Sequence, residues 1–335
     1  MKLAEIVIRP LGPLGTSLKG DTIFGHFFWQ LVFDPELIKG DLEHWRRAYE
    51  GEPFVVFSSA FPRLEREGRS CWLLPRPTLP VHFFLQEDGD CFEVLTRRKE
   101  EKKRRYMLVS GTKVNLREVK FLKPAEAVEL FWKDLEDTLP EKPPDLLLFF
   151  PQSHNSLNRL SFSTGEGFAP YQVENHWYLP GLRLAILALF REEALDKESL
   201  AEAFRRMGEV GFGRDASAGL GRFEVEDLKD LPLPEPSPTL YTLAPYIPAP
   251  GEYEKIWYQP FVRFGRHGGP LALSENPFKE PVLMAQEGAV LKTSNPSGPY
   301  VGRAVSGLSK AEKRALHQGY SLVFPLEGFH ESPSP

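Results

Sequence analysis

Residues 208–223 are the stretch of the sequence best furnished for binding an anion, because they combine five glycines with Arg214 and Arg222. Glycines allow successive backbone N–H groups to form a concave anion site, and a guanidinium matches the geometry of phosphate. Neither GxGxxG nor GxxxxGK[ST] is present, so the common nucleotide-binding loops are excluded. The stretch predicts a loop that binds a polyanion backbone, and an irregular loop of salt-bridged arginines is the alternative. The candidate contacts are Gly211, Gly213, Arg214, Ser217, Gly219, Gly221 and Arg222.

A second glycine-containing loop leads into a predicted helix near the N-terminus. Asp21 is the predicted cap of this helix, and Phe24, Phe27, Phe28 and Leu31 form its buried stripe. Helix N-termini attract phosphate, and three polar side chains lie just ahead of this one. The loop therefore predicts a second anion contact, and a capped polar loop is the alternative. The candidate contacts are Thr16, Ser17 and Lys19.

The strongest local charge lies in residues 97–105, which hold seven positive and two negative side chains, a net charge of +5. Since the formal net charge of the whole chain is −5, the remaining residues carry −10. A turn signal at residues 86–90 precedes this run, which predicts a protruding basic hairpin that clamps a phosphate backbone. A solvated charged arm is the alternative. The candidate contacts are Arg97, Arg98, Lys102 and Lys103.

A polar stretch at residues 153–168 carries side chains that could hold phosphate, ribose and base edges. Its candidate contacts are Asn155, Asn158 and Arg159. His154 and His176 flank the stretch, and a nuclease could use such histidines as acid or base. No HExxH or cysteine pattern indicates a metal site, so no cofactor is predicted.

Composition and charge limit the class of protein. With 335 residues, of which 41% are hydrophobic and 26% charged, the chain is long enough for two folded domains. A net charge of −5 excludes a general polycation, so any nucleic acid would bind a local basic surface. Two cysteines fit a reducing compartment, and no apolar run approaches the ~18 residues of a membrane span. We therefore expect a soluble cytoplasmic protein.

The predicted elements follow the order β-α-β, a long insertion at about residues 86–175, and again β-α-β. This is the ferredoxin-like arrangement shared by many RNA-binding domains. Strands are predicted at residues 2–10, 53–61, 182–190 and 222–225. Helices are predicted from residue 21 onward and at residues 199–207, with Ser199 and Glu202 as a capping box. After a proline-rich connector at 231–238, strands are predicted at residues 241–246, 257–264, 282–286 and 320–325, with a short helix over 309–319. The predicted domains are residues 1–232 and 236–330.

Five blocks of the sequence, in this order, resemble one protein family. The blocks are LKGDTIFGHFFWQL (18–31), NSLNRLSFSTGEG (155–167), GFGRDASAGLGRF (211–223), LAPYIP (243–248) and NPFKEPVLMAQEGAVL (276–291). They are similar to the RAMP proteins that form subunit four of the type III-A CRISPR interference complex, the Csm complex. The resemblance implies an α+β fold with two ferredoxin-like (RRM-like, RAMP) domains, a glycine-rich loop and an inserted hairpin. The family's glycine-rich loop corresponds to Gly211, Gly213, Gly219 and Gly221.

The same resemblance implies a subunit that is not itself a nuclease. It would bind the repeat-derived 5′ tag of the CRISPR RNA and join the large polymerase/cyclase-like subunit to the backbone RAMP subunits in antiviral defence. Two alternatives stay open. One is a metal-independent endoribonuclease of the same superfamily that cuts repeat RNA with His26, His154 or His176, and the other is a structural scaffold whose basic loops bind an acidic protein.

Overall fold

The computed structural model describes residues 1–84, 90–135, 139–164, 169–294 and 298–328. Within these ranges the α-helices are α1 (Gly20–Phe33), α2 (Leu42–Ala48), α3 (Cys91–Lys102), α4 (Pro124–Leu135) and α5 (Lys197–Val210). Strands β1 to β11 are Lys2–Pro10, Val55–Phe57, Phe61–Arg66, Arg69–Pro75, Tyr106–Ser110, Val114–Asn115, Lys120–Leu122, Leu147–His154, Tyr171–Tyr178, Arg183–Phe190 and Phe223–Leu231. Strands β12 to β18 are Thr239–Thr242, Lys255–Trp257, Pro260–Arg263, Val282–Ala285, Val290–Lys292, Tyr300–Gly302 and Tyr320–Glu327. The protein has a mixed α+β architecture dominated by sheets.

Four strands of the largest sheet and two helices follow the β-α-β and β-α-β order predicted from the sequence. These strands lie as β11-β1-β10-β2 with antiparallel pairing, and α1 and α5 supply the two crossovers, which is the β-α-β-β-α-β connection. The strand predicted at residues 53–61 is in fact two strands, because the chain leaves β2 after Phe57 and returns as β3 at Phe61. Both pair with β10.

The insertion between β2 and β10 widens this sheet. Strands β3, β4, β5 and β7 continue it outward from β10, so β7 and β11 lie at its opposite edges. At about 4.8 Å between neighbouring strands, the six intervals from β11 to β7 span roughly 29 Å. Strands β8 and β9 form a separate antiparallel hairpin, with the polar residues 155–164 in the segment that connects them.

The basic run predicted as a hairpin is helical, so that prediction is wrong. Residues 85–89, which hold most of the predicted turn signal, lie outside the described residues. Asp90 is instead the N-cap of α3, because its carboxylate accepts a hydrogen bond from the Glu93 N–H at 2.9 Å. Arg97, Arg98 and Lys102 lie on this helix, and Lys103 is its C-cap. A run rich in Lys, Arg and Glu has high helix propensity, which favours a helix here over a hairpin strand.

The amphipathic stripes of α1 and α5 are confirmed, but both predicted caps are wrong. In α5 the four apolar stripe residues are buried, and Asp196 rather than Ser199 caps the helix by accepting the Ser199 N–H at 2.9 Å. Glu202 pairs with Arg206 at 2.7 Å instead of closing a capping box. In α1 the N-cap is Lys19, without a side-chain bond. Asp21 lies in the first turn, where it forms an ion pair described below.

The C-terminal part is built from strands. Its sheet has the order β13-β16-β12-β18-β17, with β6 of the insertion pairing in parallel with β18. The helix predicted at residues 309–319 is absent: Ser309 bridges to Lys279, and its Oγ lies 2.6 Å from Nε2 of His267. A second ferredoxin-like domain and the boundary at residues 231–238 stay predictions. The largest hydrophobic cluster includes Tyr241 and Phe324, so the core crosses that connector.

Candidate nucleic-acid interface

Three segments that are far apart in the sequence meet at one end of the large sheet. The loop from β1 to α1 contacts the loop from α5 to β11 through Leu11 N–H to Arg222 O at 2.9 Å and Gly221 N–H to Pro13 O at 2.8 Å. The same first loop contacts the base of the β8–β9 hairpin, because Leu14 and His176 exchange backbone hydrogen bonds of 2.7 and 2.9 Å. We call residues 11–19, 174–176 and 211–222 the loop junction. It unites two of the predicted binding loops.

All four N–H groups of the predicted glycine cradle already have acceptors in the protein, and the RNA contact of this loop stays a prediction. The N–H of Gly211 donates to Met207 O and that of Gly219 to Ala216 O, each at 2.9 Å. The Gly213 N–H donates to Nε2 of His26 at 3.1 Å, and Gly221 binds Pro13 as above. These glycines shape the loop junction and do not offer their amides to a phosphate.

Gly213 and Gly219 both have positive φ, but Gly213 is closely packed and Gly219 has open space around it. Both have φ in the left-handed region, +80° for Gly213 and +94° for Gly219, where a residue with a Cβ is disfavoured. A Cβ on Gly213 would lie 2.5 Å from Cβ of Thr16, whereas nothing lies within 4 Å of a Cβ on Gly219. Gly213 therefore serves close packing of two loops, and Gly219 serves an open turn.

His26 and Thr16 hold the glycine-rich loop in place. Burial lowers the pKa of His26 from 6.5 to about 4, so the ring is neutral and its Nε2 can accept the Gly213 N–H. The ring also packs on Phe212, with centroids 4.4 Å apart. Thr16 Oγ1 accepts the Arg214 N–H at 3.0 Å. His26 therefore supports the backbone of the glycine-rich loop at Gly213.

Arg214 joins the glycine-rich loop to the hairpin. Its Nη2 donates to the Glu174 carbonyl at 2.8 Å and to Oδ1 of Asn175 at 2.7 Å, and its Nε lies 3.2 Å from the Asp215 carboxylate. Asn175 is fully buried and donates onward to Oε1 of Gln152 at 2.7 Å. Sequence patterning gives no sign of Asn175, because a polar residue in an alternating strand is expected to face solvent.

Four of the predicted contacts in the glycine-rich loop are exposed, namely Arg214, Ser217, Gly219 and Arg222, and of these Arg214 is engaged by the hairpin. Within the described ranges, no side chain forms an ion pair with Arg222. The acidic side chains of the neighbouring strand β11 are already engaged, since Glu224 and Glu226 both pair with Arg9. Arg222 is therefore a cation at the loop junction that is available to a ligand.

All three predicted contacts in the first loop have protein partners, Thr16 through the Arg214 N–H described above. Ser17 Oγ lies 3.3 Å from Nε2 of His176, and Lys19 pairs with Glu287 at 2.5 Å while lying over the Phe261 ring. The Lys19 side chain is only 16% exposed, and its role as a phosphate contact stays a prediction. Its charge is neutralised by a residue that no local sequence pattern connects to it.

The LKGD motif anchors the C-terminal part rather than a ligand. Asp21 forms a bidentate ion pair with Arg263, with Nε–Oδ2 and Nη2–Oδ1 distances of 2.6 and 2.8 Å. The Asp21 side chain is 2% exposed and that of Arg263 is 18% exposed, so the carboxylate is buried and the guanidinium is mostly covered. Together with Lys19 and Glu287 it fixes the start of α1, and hence the end of the first loop, against strands β14 and β15.

The polar residues 155–164 lie at the far end of the β8–β9 hairpin. Asn155 and Arg159 are exposed, as a contact requires. Asn158 is partly committed to the turn, because its Oδ1 accepts the Leu160 N–H at 2.9 Å and its backbone pairs with Ser163. Leu160 and Phe162 expose 95% and 84% of their surface there, so this end of the hairpin is amphipathic.

The cations of α3 are distant from the loop junction. The helix packs at the β7 edge, where Glu100 pairs with Lys123 at 2.7 Å and Glu101 with Arg76 at 3.2 Å. Arg97, Lys102 and Lys103 are exposed and Arg98 is half-buried, and Lys103 pairs with Glu100. Because β7 and β11 lie at opposite edges of the sheet, α3 and the glycine-rich loop cannot contact the same nucleotide.

His154 and His176 lie at different points of the β8–β9 hairpin. His154 stacks on Tyr171, whereas His176 lies five residues further along β9, about 16 Å at the usual strand rise. Burial lowers the pKa of His176. Within the described ranges, no three His, Cys, Asp or Glu side chains are grouped to hold a metal. The helices of the described part are also too short or too polar to cross a bilayer.

Comparisons by sequence and by structure give different results. No protein-family model and no curated protein matches the sequence. The structure is similar to a chain of the Csm3-Csm4 subcomplex in the type III-A CRISPR-Cas interference complex, with a TM-score of 0.57 and 14% identity over 97% of this chain and 99% of that one. A chain of the Csm1-Csm4 cassette in complex with cA4 gives a TM-score of 0.56 at 17% identity, over 99% of this chain and 100% of that one. The cassette in complex with pppApA gives a TM-score of 0.54 at 17% identity, over 98% of each chain. The chain therefore has, from end to end, the fold of the Csm4 RAMP subunit of type III-A complexes.

Proposed function

We propose that this chain is a non-catalytic CRISPR RNA-binding subunit of a type III-A effector complex that acts in the cytoplasm. It holds the 5′ repeat-derived tag of the guide RNA and bridges the large subunit to the backbone subunits in antiviral defence. The observation that carries the proposal is the end-to-end likeness to Csm4, which the solved structures contain together with Csm1 or with Csm3. We infer the corresponding large and backbone subunits as partners.

The loop junction supports the RNA-binding part of the proposal. It presents Arg222 and Ser217 on an exposed loop whose backbone is held in one shape by Thr16, His26 and Arg214. A preorganised loop loses little entropy on binding, so a few contacts suffice for a single strand. Beyond it, the hairpin carries Asn155 and Arg159, whose amide and guanidinium groups suit base edges and phosphate.

The geometry favours an RNA holder over a ribonuclease. The neutral ring of His26 is occupied by the Gly213 N–H, and His176 and His154 lie too far apart to act on one phosphate. Incubating the chain with repeat RNA without metal is expected to leave the RNA intact. Cleavage that His176→Ala or His154→Ala abolishes would instead support the endoribonuclease.

Co-purification tests the proposed partners. An affinity-tagged chain, expressed with its genomic neighbours, is expected to recover a large subunit, a backbone subunit and RNA with the repeat-derived sequence at its 5′ end. Recovery of the protein partners without RNA would identify a scaffold, and recovery of neither would refute the proposal.

A matched pair of arginine variants tests the RNA site. Arg222 and Arg47 are both exposed arginines, but Arg222 lies in the loop junction and Arg47 on α2, paired with Glu43. In filter binding, Arg222→Gln is expected to weaken RNA binding and Arg47→Gln to leave it unchanged. Equal effects would mean that RNA does not follow the loop junction.

A further inference from the structure

We propose that Arg214 is a positioning residue that locks the β8–β9 hairpin to the glycine-rich loop, so that the two move as one unit. The glycine-rich loop and the hairpin are the two elements proposed above to hold RNA, so the RNA part of this inference rests on the proposed function. The mechanical part of the inference, that Arg214 locks the hairpin to the glycine-rich loop, does not rest on the proposed function.

Arg214 contacts several protein groups, although its side chain is 38% exposed. Both protons of Nη2 have acceptors on β9, the Glu174 carbonyl and Oδ1 of Asn175, and Nε faces Asp215. The backbone N–H binds Thr16. An arginine has five N–H donors on its side chain, and only the two on Nη1 are left for a phosphate. Arg214 therefore holds two elements together before any ligand arrives.

Asn175 carries the connection into the hairpin. Its side chain is fully buried, with Oδ1 accepting from Arg214 and Nδ2 donating to Gln152 on β8 at 2.7 Å. The path from Arg214 through Asn175 to Gln152 thus crosses both strands of the hairpin. A buried amide with both ends bonded admits one orientation, because an unpaired buried polar group is costly.

The remaining attachment of the hairpin lies at its base. Leu148 of β8 and Tyr178 of β9 are partly buried and pack against the main hydrophobic core, and Leu14 and His176 exchange backbone hydrogen bonds. Ser17 Oγ also lies 3.3 Å from Nε2 of His176. These contacts hold the end of the hairpin nearest the sheet, whereas Arg214 adds a charged contact that continues through Asn175 to Gln152.

Hydrogen exchange of the full chain without RNA tests the mechanical part. Arg214→Gln and Asn175→Leu are each expected to speed amide exchange in residues 147–154 and 171–178 roughly ten- to hundredfold, the factor for losing a charge-assisted hydrogen bond. Exchange in β1 and β10 should stay at the wild-type rate. Unchanged exchange in the hairpin would overturn the inference.

If Asn175→Leu does not fold, two milder variants still test the inference. Asn175→Asp keeps an acceptor for Arg214, and the Gln152 amide can turn to donate to it, so near-wild-type exchange is expected. Arg214→Lys keeps the charge but cannot bind two acceptors in one plane, so its exchange should be intermediate. An Asn175→Asp hairpin that exchanges as fast as the Arg214→Gln hairpin would refute the role of the acceptor.

RNA titrations then separate a positioning residue from a phosphate ligand. Asn175 is buried and cannot touch RNA, so Arg214→Gln and Asn175→Leu should weaken binding by the same factor, with the double variant no weaker. Neither should change the salt dependence, whereas Arg222→Gln should flatten it by at most ~0.7. If Arg214→Gln weakens binding and flattens the slope while Asn175→Leu does neither, Arg214 is a ligand instead. If the wild-type chain binds no RNA, the proposed function fails and the exchange data still decide the mechanical part.

Discussion

Comparing Gly213→Ala with Gly219→Ala should distinguish the free energy of unfolding lost through steric clash from that lost through backbone strain in the same loop. Both positions have positive φ, so both variants place a Cβ in the left-handed region, at a cost of about 1–2 kcal/mol. Alanine also reduces the entropy of the unfolded chain, which offsets about 0.4–1 kcal/mol. For Gly219, which has open space around it, the net loss of unfolding free energy should be about 1 kcal/mol and at most about 1.6 kcal/mol.

Gly213→Ala adds a steric term. Its Cβ would lie 2.5 Å from Cβ and 2.7 Å from Oγ1 of Thr16, so the two loops must separate. That separation breaks the bonds from Arg214 N–H to Thr16 and from Gly213 N–H to His26, each worth about 1 kcal/mol. The expected loss is about 3 kcal/mol, about 2 kcal/mol more than for Gly219→Ala.

Urea unfolding of the two variants measures this difference directly, and RNA binding of the folded proteins follows it. Gly213→Ala should also weaken RNA binding, because the loops of the junction separate. Equal unfolding free energies for the two variants would refute the proposed packing of Gly213 on Thr16. A Gly219→Ala variant that loses RNA binding at unchanged stability would place the RNA directly on that turn.

Three further predictions follow from other parts of the molecule. Neutralising the α3 cations should weaken binding of tag-bearing and scrambled RNA equally and flatten the salt slope by at most ~0.7 per lost contact, as measured by filter binding; the positions are Arg97, Arg98, Lys102 and Lys103. Burial lowers the pKa of His317 from 6.5 to about 4, so its stabilising effect is complete above pH 6.5 and lost as the pH falls from 6.5 to 4. Urea unfolding should therefore be less acid-sensitive in His317→Gln, and an unchanged pH profile would contradict this. Asp21→Asn leaves Arg263 without its carboxylate and should lower the unfolding free energy by about 3–5 kcal/mol; a loss below about 1 kcal/mol would mean that the pair is not buried in solution.

The sequence predicts elements whose stability is decided locally. Strand β1 has the predicted bounds, and the buried stripe of α5 contains the predicted residues, because apolar periodicity reports directly which face is covered. The β-α-β order also fixed the neighbours of β1, since such connections leave few topologies. The resemblance of the sequence blocks is confirmed as a fold by the structural comparison.

Contacts between distant segments were decided only by the tertiary structure. The glycine-rich loop was predicted to offer its N–H groups to phosphate, but His26 and Pro13, about 190 and 210 positions away, accept two of them. Lys19 is paired with Glu287, 268 residues away. The type of a residue determines which hydrogen-bond and ion-pair partners its side chain can have. Which partner it finds depends on chain segments that meet only after folding, and once a buried donor has an acceptor, it is no longer available to a ligand.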